Sequence, residues 1–481
     1  MFGALFTFVN ISLIPRALGP VAYGNFDFLV TFFQQLTEFV DSGTSIFFFN
    51  KLSHRNADAG LIRTYAEYVV FLLLLTFCGL IVIWSFGWGQ WVWPKQEWRY
   101  ILLAALLGYL AWVSEILRKV VDAFGRTISG ESLLLGLRGL GALAVAMLFW
   151  GDWLSLNTAF AKELVISGLV IIGLGSISLR YWNRSLAQSS FSSRRVEVLR
   201  ELWSYCSPLL IYALVGAVSG IAGRWLLQHY AGPAEQGFYG LSFRVAAVSF
   251  LFTSAMTQLI MREFARAHGA GDTDELRRLF RRFSPLLYTL AAYFSSFICA
   301  QAETVVAILG GNKFAAASPA LMIMALSPMH QTYGQMNGSL LFATGQTSLY
   351  RNIGILSMVL GLVSTWFILA PKNYGGLAGG SLGLALNLVA VQFFAVNLQL
   401  WFNAKRLQLN FRLFLLHQIV VAALFVFLAW GSSSMFSHYG LTGIANFMAS
   451  GFSYSLLVAL CIWRVPRLIG WSRADFKQLT F

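Results

Sequence analysis

Charge is what this sequence has least of. Asp, Glu, Lys and Arg make up 11% of its 481 residues, against 57% hydrophobic residues and a mean hydropathy of +0.66. A soluble domain carries about 25% charged residues, so an ordinary water-facing surface is excluded. Strict apolar–polar alternation in short segments is missing too, which excludes a transmembrane β-barrel. The four cysteines, Cys78, Cys206, Cys299 and Cys461, are scattered through apolar stretches. They form no C-x-x-C or Cys/His spacing, so neither a disulfide framework nor a metal site is expected. No phosphate-binding loop of the G-x-x-x-x-G-K-[ST] type occurs, so ATP is not the expected energy source, and no cofactor is expected. The opening "MFGALFTFVNISLIP" lacks a basic region and a small-residue cleavage site, so a cleavable signal peptide is not expected. As a span it is short. No connection is large enough to hold a catalytic domain, and no catalytic residues are nominated. Asp272 to Asp274, "DTD", is the sole acidic hint of a membrane glycosyltransferase or polymerase. It opens a basic helix, where acidic residues favour the N-terminus.

What the chain does have is apolar runs of bilayer-crossing length, about 18 residues or more. The reading is an all-α polytopic membrane protein with about fourteen transmembrane helices. Its expected spans include 1–16, 22–49, 283–309 and 315–343. Most Lys and Arg fall in one set of connections; Arg16, Lys95, Arg99, Lys313 and Lys372 fall in the opposite set. By the positive-inside rule the first set is cytoplasmic, and so are both termini. The net charge of +14 is mostly this bias, attracted to anionic bilayer lipids. It is spread over many loops, so no nucleic acid is expected as a partner. Five tryptophans between Trp84 and Trp98 read as an interfacial belt, with stacking on a sugar as the sharper alternative.

The sequence also repeats itself. In "LGPVAYG" Gly19 ends a helix, Pro20 starts the next and Gly24 permits close approach; "AGPAEQG" returns Gly232, Pro233 and Gly237 in the same register. "AFGRT" at Ala123–Thr127 returns as "ATGQT" at Ala343–Thr347. Two parallel six-helix lobes are therefore expected, at 1–180 and 204–404, joined by a basic cytoplasmic linker at 181–203. Residues 405–481 add two accessory helices and a tail.

"RALGPVAYGNF", "AGRWLLQHYAGPAEQGFYGLSFR", "LLFATGQT" and "PKNYGGLAGGSLGLAL" resemble the signatures of polysaccharide-repeat flippases, the O-antigen (Wzx-type) exporters of the multidrug/oligosaccharidyl-lipid/polysaccharide exporter superfamily. The resemblance implies two six-helix lobes around a cavity plus two accessory helices. It implies translocation of an undecaprenyl-pyrophosphate-linked oligosaccharide from the cytoplasmic to the periplasmic leaflet of a bacterial inner membrane, coupled to H+ or Na+. A multidrug or cation antiporter of the same superfamily is the alternative. The family often has an acid before the arginine of its seventh helix; here that place is Gly223, before Arg224.

Charged residues inside spans usually face protein or a cavity. Asp27, Thr31, Gln34, Glu38, Asp41 and Ser45 share one helical face and are expected to line the cavity. Glu115, Arg118, Asp122 and Arg138, with Glu38 and Asp41, are expected to form ion pairs at a cytoplasmic gate, or a static network. The second half is basic where the first is acidic. Arg224 and Arg244 suit a pyrophosphate, because a guanidinium forks onto phosphate oxygens. His330, Tyr333 and Asn337 share a face and complete the expected substrate-binding set, His330 being either titrating or a hydrogen-bonded core histidine. Asp27 is expected to pair with Arg224 or Arg244.

Overall fold

A computed structural model describes residues 2–54, 58–186 and 194–470. It is helical nearly throughout, with no strand among the described residues. Contacts divide the chain into two compact units, Met1–Gly237 and Phe238–Phe481. The division falls one span after the expected linker. Residues 187–193 of that linker lie outside the described residues.

The first unit opens with α1 (Phe2–Asp41), a run of 40 residues. At about 1.5 Å per residue this is roughly 60 Å, twice the ~30 Å hydrocarbon core, so it holds two passes. They meet at Gly19, whose φ of 71° lies where only glycine is comfortable. Pro20 follows in a first-turn position, where its missing N–H costs nothing. Gly232 repeats this joint with φ 93°, ahead of Pro233.

The expected span 22–49 is interrupted. After Asp41 the chain turns at Ser42 and Gly43, with φ 37° and 88°, and restarts as α2 (Thr44–His54). The physical reason is a cap: Asp41 takes hydrogen bonds from the first turn of α2 instead of continuing the helix. Then come α3 (Ala59–Ser85), the short α4 (Gly89–Val92), α5 (Trp98–Ala123), α6 (Thr127–Trp150), α7 (Leu156–Leu186) and α8 (Arg195–Leu226). A π-turn at Leu227–Ala231 leads to α9 (Pro233–Gly269).

Around α1, Phe28, Phe33, Ile101 and Phe160 form one core; Phe47, Phe48, Tyr65 and Trp112 form another. The tryptophan-rich loop is only partly a surface belt. Trp84, Trp88 and Trp91 are exposed, but Trp93 is 2% exposed and lies over Phe33.

The second unit continues with α10 (Thr273–Ala300), α11 (Ala302–Gly310), α12 (Ser318–Met324), α13 (Ser327–Ala343), α14 (Thr347–Leu369), α15 (Gly380–Arg406), α16 (Phe411–His438) and α17 (Gly443–Arg464). Asp272 caps α10 by accepting the Glu275 N–H at 2.8 Å, the helix-opening role read from "DTD". Two expected spans are broken. The 283–309 span divides at Gln301, and the 315–343 span divides between Met324 and Ser327, where Pro328 opens α13 as Pro319 opens α12. The core joins α10, α13, α15 and α16 through Phe280, Tyr288, Tyr333, Leu400 and Phe425.

The second sequence repeat is also one structure used twice. Between α5 and α6, Arg126 N–H reaches Val121 O at 3.0 Å; between α13 and α14, Gln346 N–H reaches Leu341 O at 2.7 Å. Among the described residues eleven helices are individually long and apolar enough to cross a membrane. The second pass of α1, α9 and the α12–α13 pair bring the total to about fourteen. This is a multi-pass membrane protein.

Candidate functional site

Two polar constructions stand out in the first unit. One is a cavity of about 400 Å³ between α1, the start of α2 and α5. Its walls include Gln34, Glu38, Asp41, Ser45, Glu115 and Lys119. Of the face read from the spacing of the second span, Gln34, Glu38, Asp41 and Ser45 line this cavity, whereas Thr31 does not and Asp27 is buried in an ion pair elsewhere. Asp41 Oδ1 accepts from Trp112 Nε1 at 3.0 Å, from Ser45 N–H at 3.1 Å and from Thr44 Oγ1 at 3.1 Å. Its Oδ2 accepts from Ser45 Oγ at 2.8 Å. Lys119 Nζ donates to Ser45 Oγ at 2.6 Å. The carboxylate of Glu38, one turn earlier, makes no hydrogen bond or ion pair among the described residues. It is the carboxylate of this wall that no side chain or N–H engages among the described residues.

Beside the cavity, Arg118 is shared between acids. It meets Glu131 at 2.7 Å and Glu115 at 3.6 Å, and Asp122 adds its negative charge nearby. Arg138 stands apart on α6, with its guanidinium beside Gly3. Among the described residues no group of His, Cys, Asp and Glu is arranged to hold a metal.

The second construction fastens the end of α8 to α1. Asp27, 1% exposed, is ion-paired with Arg224, itself 11% exposed. One turn on, Gln228 Nε2 donates to Asn25 Oδ1 at 3.3 Å and to the Pro94 carbonyl at 3.2 Å. Gln96 Nε2 donates to the same Asn25 oxygen at 2.7 Å, and Trp225 Nε1 donates to the Trp91 carbonyl at 3.1 Å. At the joint itself the backbones touch. A Cβ added to Gly24 would lie 1.8 Å from the Pro233 carbonyl oxygen, and one added to Gly237 would lie 2.2 Å from that of Pro20. The glycines of the two repeats are thus each other's contact.

Of the other residues named from the sequence, Arg244 lies half-buried on α9 in the second unit. His330, Tyr333 and Asn337 sit in the packed interior of that unit, at 7%, 0% and 0% exposure. Asn337 spends its amide on the Val396 carbonyl and accepts from Asn403; His330 packs against Tyr288 and Phe393. Asn25, Gln96, Gln228 and Trp93 were not nominated. Asn25 and Gln228 flank the repeated motif, and that adjacency was the available signal.

No family model matches the chain. A curated relative, described as a probable low-salt glycan biosynthesis flippase of Haloferax volcanii, is 22% identical over 246 residues, half of this chain and half of that protein. The match therefore spans about half the length of that relative. Among solved structures, the lipid II flippase MurJ in an inward closed conformation aligns over 97% of this chain and 98% of its own, with a TM-score of 0.71 and 10% identity. An inward-facing multidrug resistance MATE family transporter of the MOP superfamily aligns over 85% of this chain and 94% of its own, with a TM-score of 0.58 and 13% identity. The chain has the fold shared by the MurJ flippase and the MATE transporters of the MOP superfamily.

Proposed function

We propose that this protein flips an undecaprenyl-pyrophosphate-linked oligosaccharide from the cytoplasmic to the periplasmic leaflet of a bacterial inner membrane, by alternating access coupled to a proton. One observation carries the choice of a flippase over a multidrug antiporter. The alignment with MurJ takes in 97% of the chain, whereas that with the MATE transporter stops at 85%. The curated relative, whose described role is a glycan flippase, supports the same choice. In this reading Glu38 takes up the proton in the α1–α5 cavity. The Asp27–Arg224 pair holds the periplasmic end closed, and substrate phosphate competes with Asp27 for the arginine. Arg244 offers a second guanidinium to the headgroup. Closed and open states need differ by only a few kcal/mol for such competition to shift their populations.

The test is reconstitution in vesicles with a fluorescent polyprenyl-pyrophosphate oligosaccharide, scored by protection from a membrane-impermeant quencher. Flipping should rise with an imposed pH gradient, and Glu38→Gln should remove that dependence while leaving gradient-free flipping. Gradient-driven export of an organic cation with no lipid flipping would instead establish the antiporter.

Orientation has its own test. Lys372 and Arg406 flank α15, and the basic bias puts Arg406 in the cytoplasm. Reporter fusions at the two positions should report opposite sides, with Lys372 periplasmic. The reverse assignment would overturn the direction of transport.

A further inference from the structure

A second polar cavity lies far along the chain, where α10 gives way to α11 and α16 gives way to α17. It has a volume of about 770 Å³, within the range of small-molecule sites. Its position at four helix ends puts it at the boundary of the apolar layer.

Its chemistry is distinctive. Gln301, 2% exposed, donates through Nε2 to Ser433 Oγ at 3.1 Å and to Ser450 Oγ at 2.7 Å, which fixes the amide in the wall. Asn446, 8% exposed, donates through Nδ2 to the Ser433 carbonyl at 3.3 Å. Its Oδ1 is buried and has no partner among the described residues. A buried acceptor of this kind calls for a donor from water or a ligand. Ser437 and Glu303 add further hydrogen-bonding groups, and Trp430, 61% exposed, gives a flat apolar face at the rim. No lysine or arginine lines the cavity among the described residues, so it is not built for phosphate. An apolar guest would leave Asn446 Oδ1 unmade.

Hydroxyl donors and acceptors around one edge, with an apolar C–H face for an aromatic ring, are the features of a sugar. We propose that this cavity binds a neutral carbohydrate, with Asn446 and Gln301 reading its hydroxyls and Trp430 stacking on a ring face. It uses none of the residues assigned above to transport. Its periplasmic placement follows the proposed orientation, in which it would hold the glycan after translocation; its chemistry does not depend on that orientation.

The experiment is equilibrium binding, so it is read without transport. The full chain is placed in lipid nanodiscs free of glycoside detergents, which are themselves sugars. Maltotriose and triacetylchitotriose are titrated by saturation-transfer NMR. At least one should bind saturably with a dissociation constant in the millimolar range or tighter. Asn446→Leu and Trp430→Ala should each weaken binding tenfold or more. Trp430 is exposed, so its replacement leaves the core intact. Trp88→Ala, in the first unit, should leave binding unchanged. The proposal is overturned if neither sugar binds saturably, if both site variants bind as wild type, or if Trp88→Ala alone abolishes binding.

Discussion

Replacing Gly24 with valine is expected to lower flipping at least a hundredfold, with the protein still inserted in the membrane. The cause is backbone geometry. Even the first carbon of a side chain at this position would sit 1.8 Å from the Pro233 carbonyl oxygen and 2.7 Å from the Gly237 nitrogen. An ordinary contact needs about 3.5 Å. No rotamer change relieves this, because both obstructing atoms belong to the main chain of the facing helix. The first turn of α9 must move away from α1, and the Gln228–Asn25 hydrogen bond, at 3.3 Å, goes with it. Cysteines placed at Asn25 and Gln228 should cross-link through a short bifunctional reagent in the parent and poorly in the valine variant. Gly24→Ala should fall between them, since its Cβ meets the same atoms with less bulk behind it. Near-normal flipping in Gly24→Val would show that this contact is not part of the transport cycle.

Arg224→Leu is expected to cost about 3–5 kcal/mol of stability, the usual penalty for breaking a buried ion pair by removing one partner. Asp27 is 1% exposed, so water cannot replace the lost guanidinium without opening the core. Asp27→Leu should be similarly damaging, because it removes the carboxylate ion-paired with Arg224. The double variant, Asp27→Leu with Arg224→Leu, should be more stable than either single one, since removing both charges removes the desolvation cost. Thermal unfolding of the four proteins closes a double-mutant cycle. Exchanging the charges, Asp27→Arg with Arg224→Asp, should recover part of the loss. Arg224→Lys should not recover fully, because an ammonium keeps the charge and loses the fork. A double variant no more stable than Arg224→Leu alone would mean that the arginine acts through some other neighbour.

The joints were readable because their chemistry is local. Glycine followed by proline at Gly19–Pro20 and Gly232–Pro233 admits few conformations, and the structure uses the same one twice. The charged face of the second span was readable because charge in an apolar run is rare. Other features had no such signal. The turn at Ser42–Gly43 sits inside an apolar stretch, and a span-length hydropathy window averages across it. The amides Asn25, Gln96 and Gln228 carry no charge, and beyond the nearness of Asn25 and Gln228 to the repeated motif nothing in the sequence links them. Only folding shows that one asparagine oxygen serves two glutamines. His330, Tyr333 and Asn337 show the ambiguity of periodicity: residues on one helical face can line a cavity or, as here, fill a core.

The Gly19 joint has a consequence for how the protein is made. The two passes of α1 are separated by a single non-helical residue, so no loop stands between them to wait outside while the second is synthesised. The pair must enter the bilayer as one hairpin, with Arg16 and the main-chain groups of the turn close to its tip. An insertion machinery that releases spans one at a time would have to hold the first until the second is complete. A charge added near Gly19 would therefore act on biogenesis before it could act on transport.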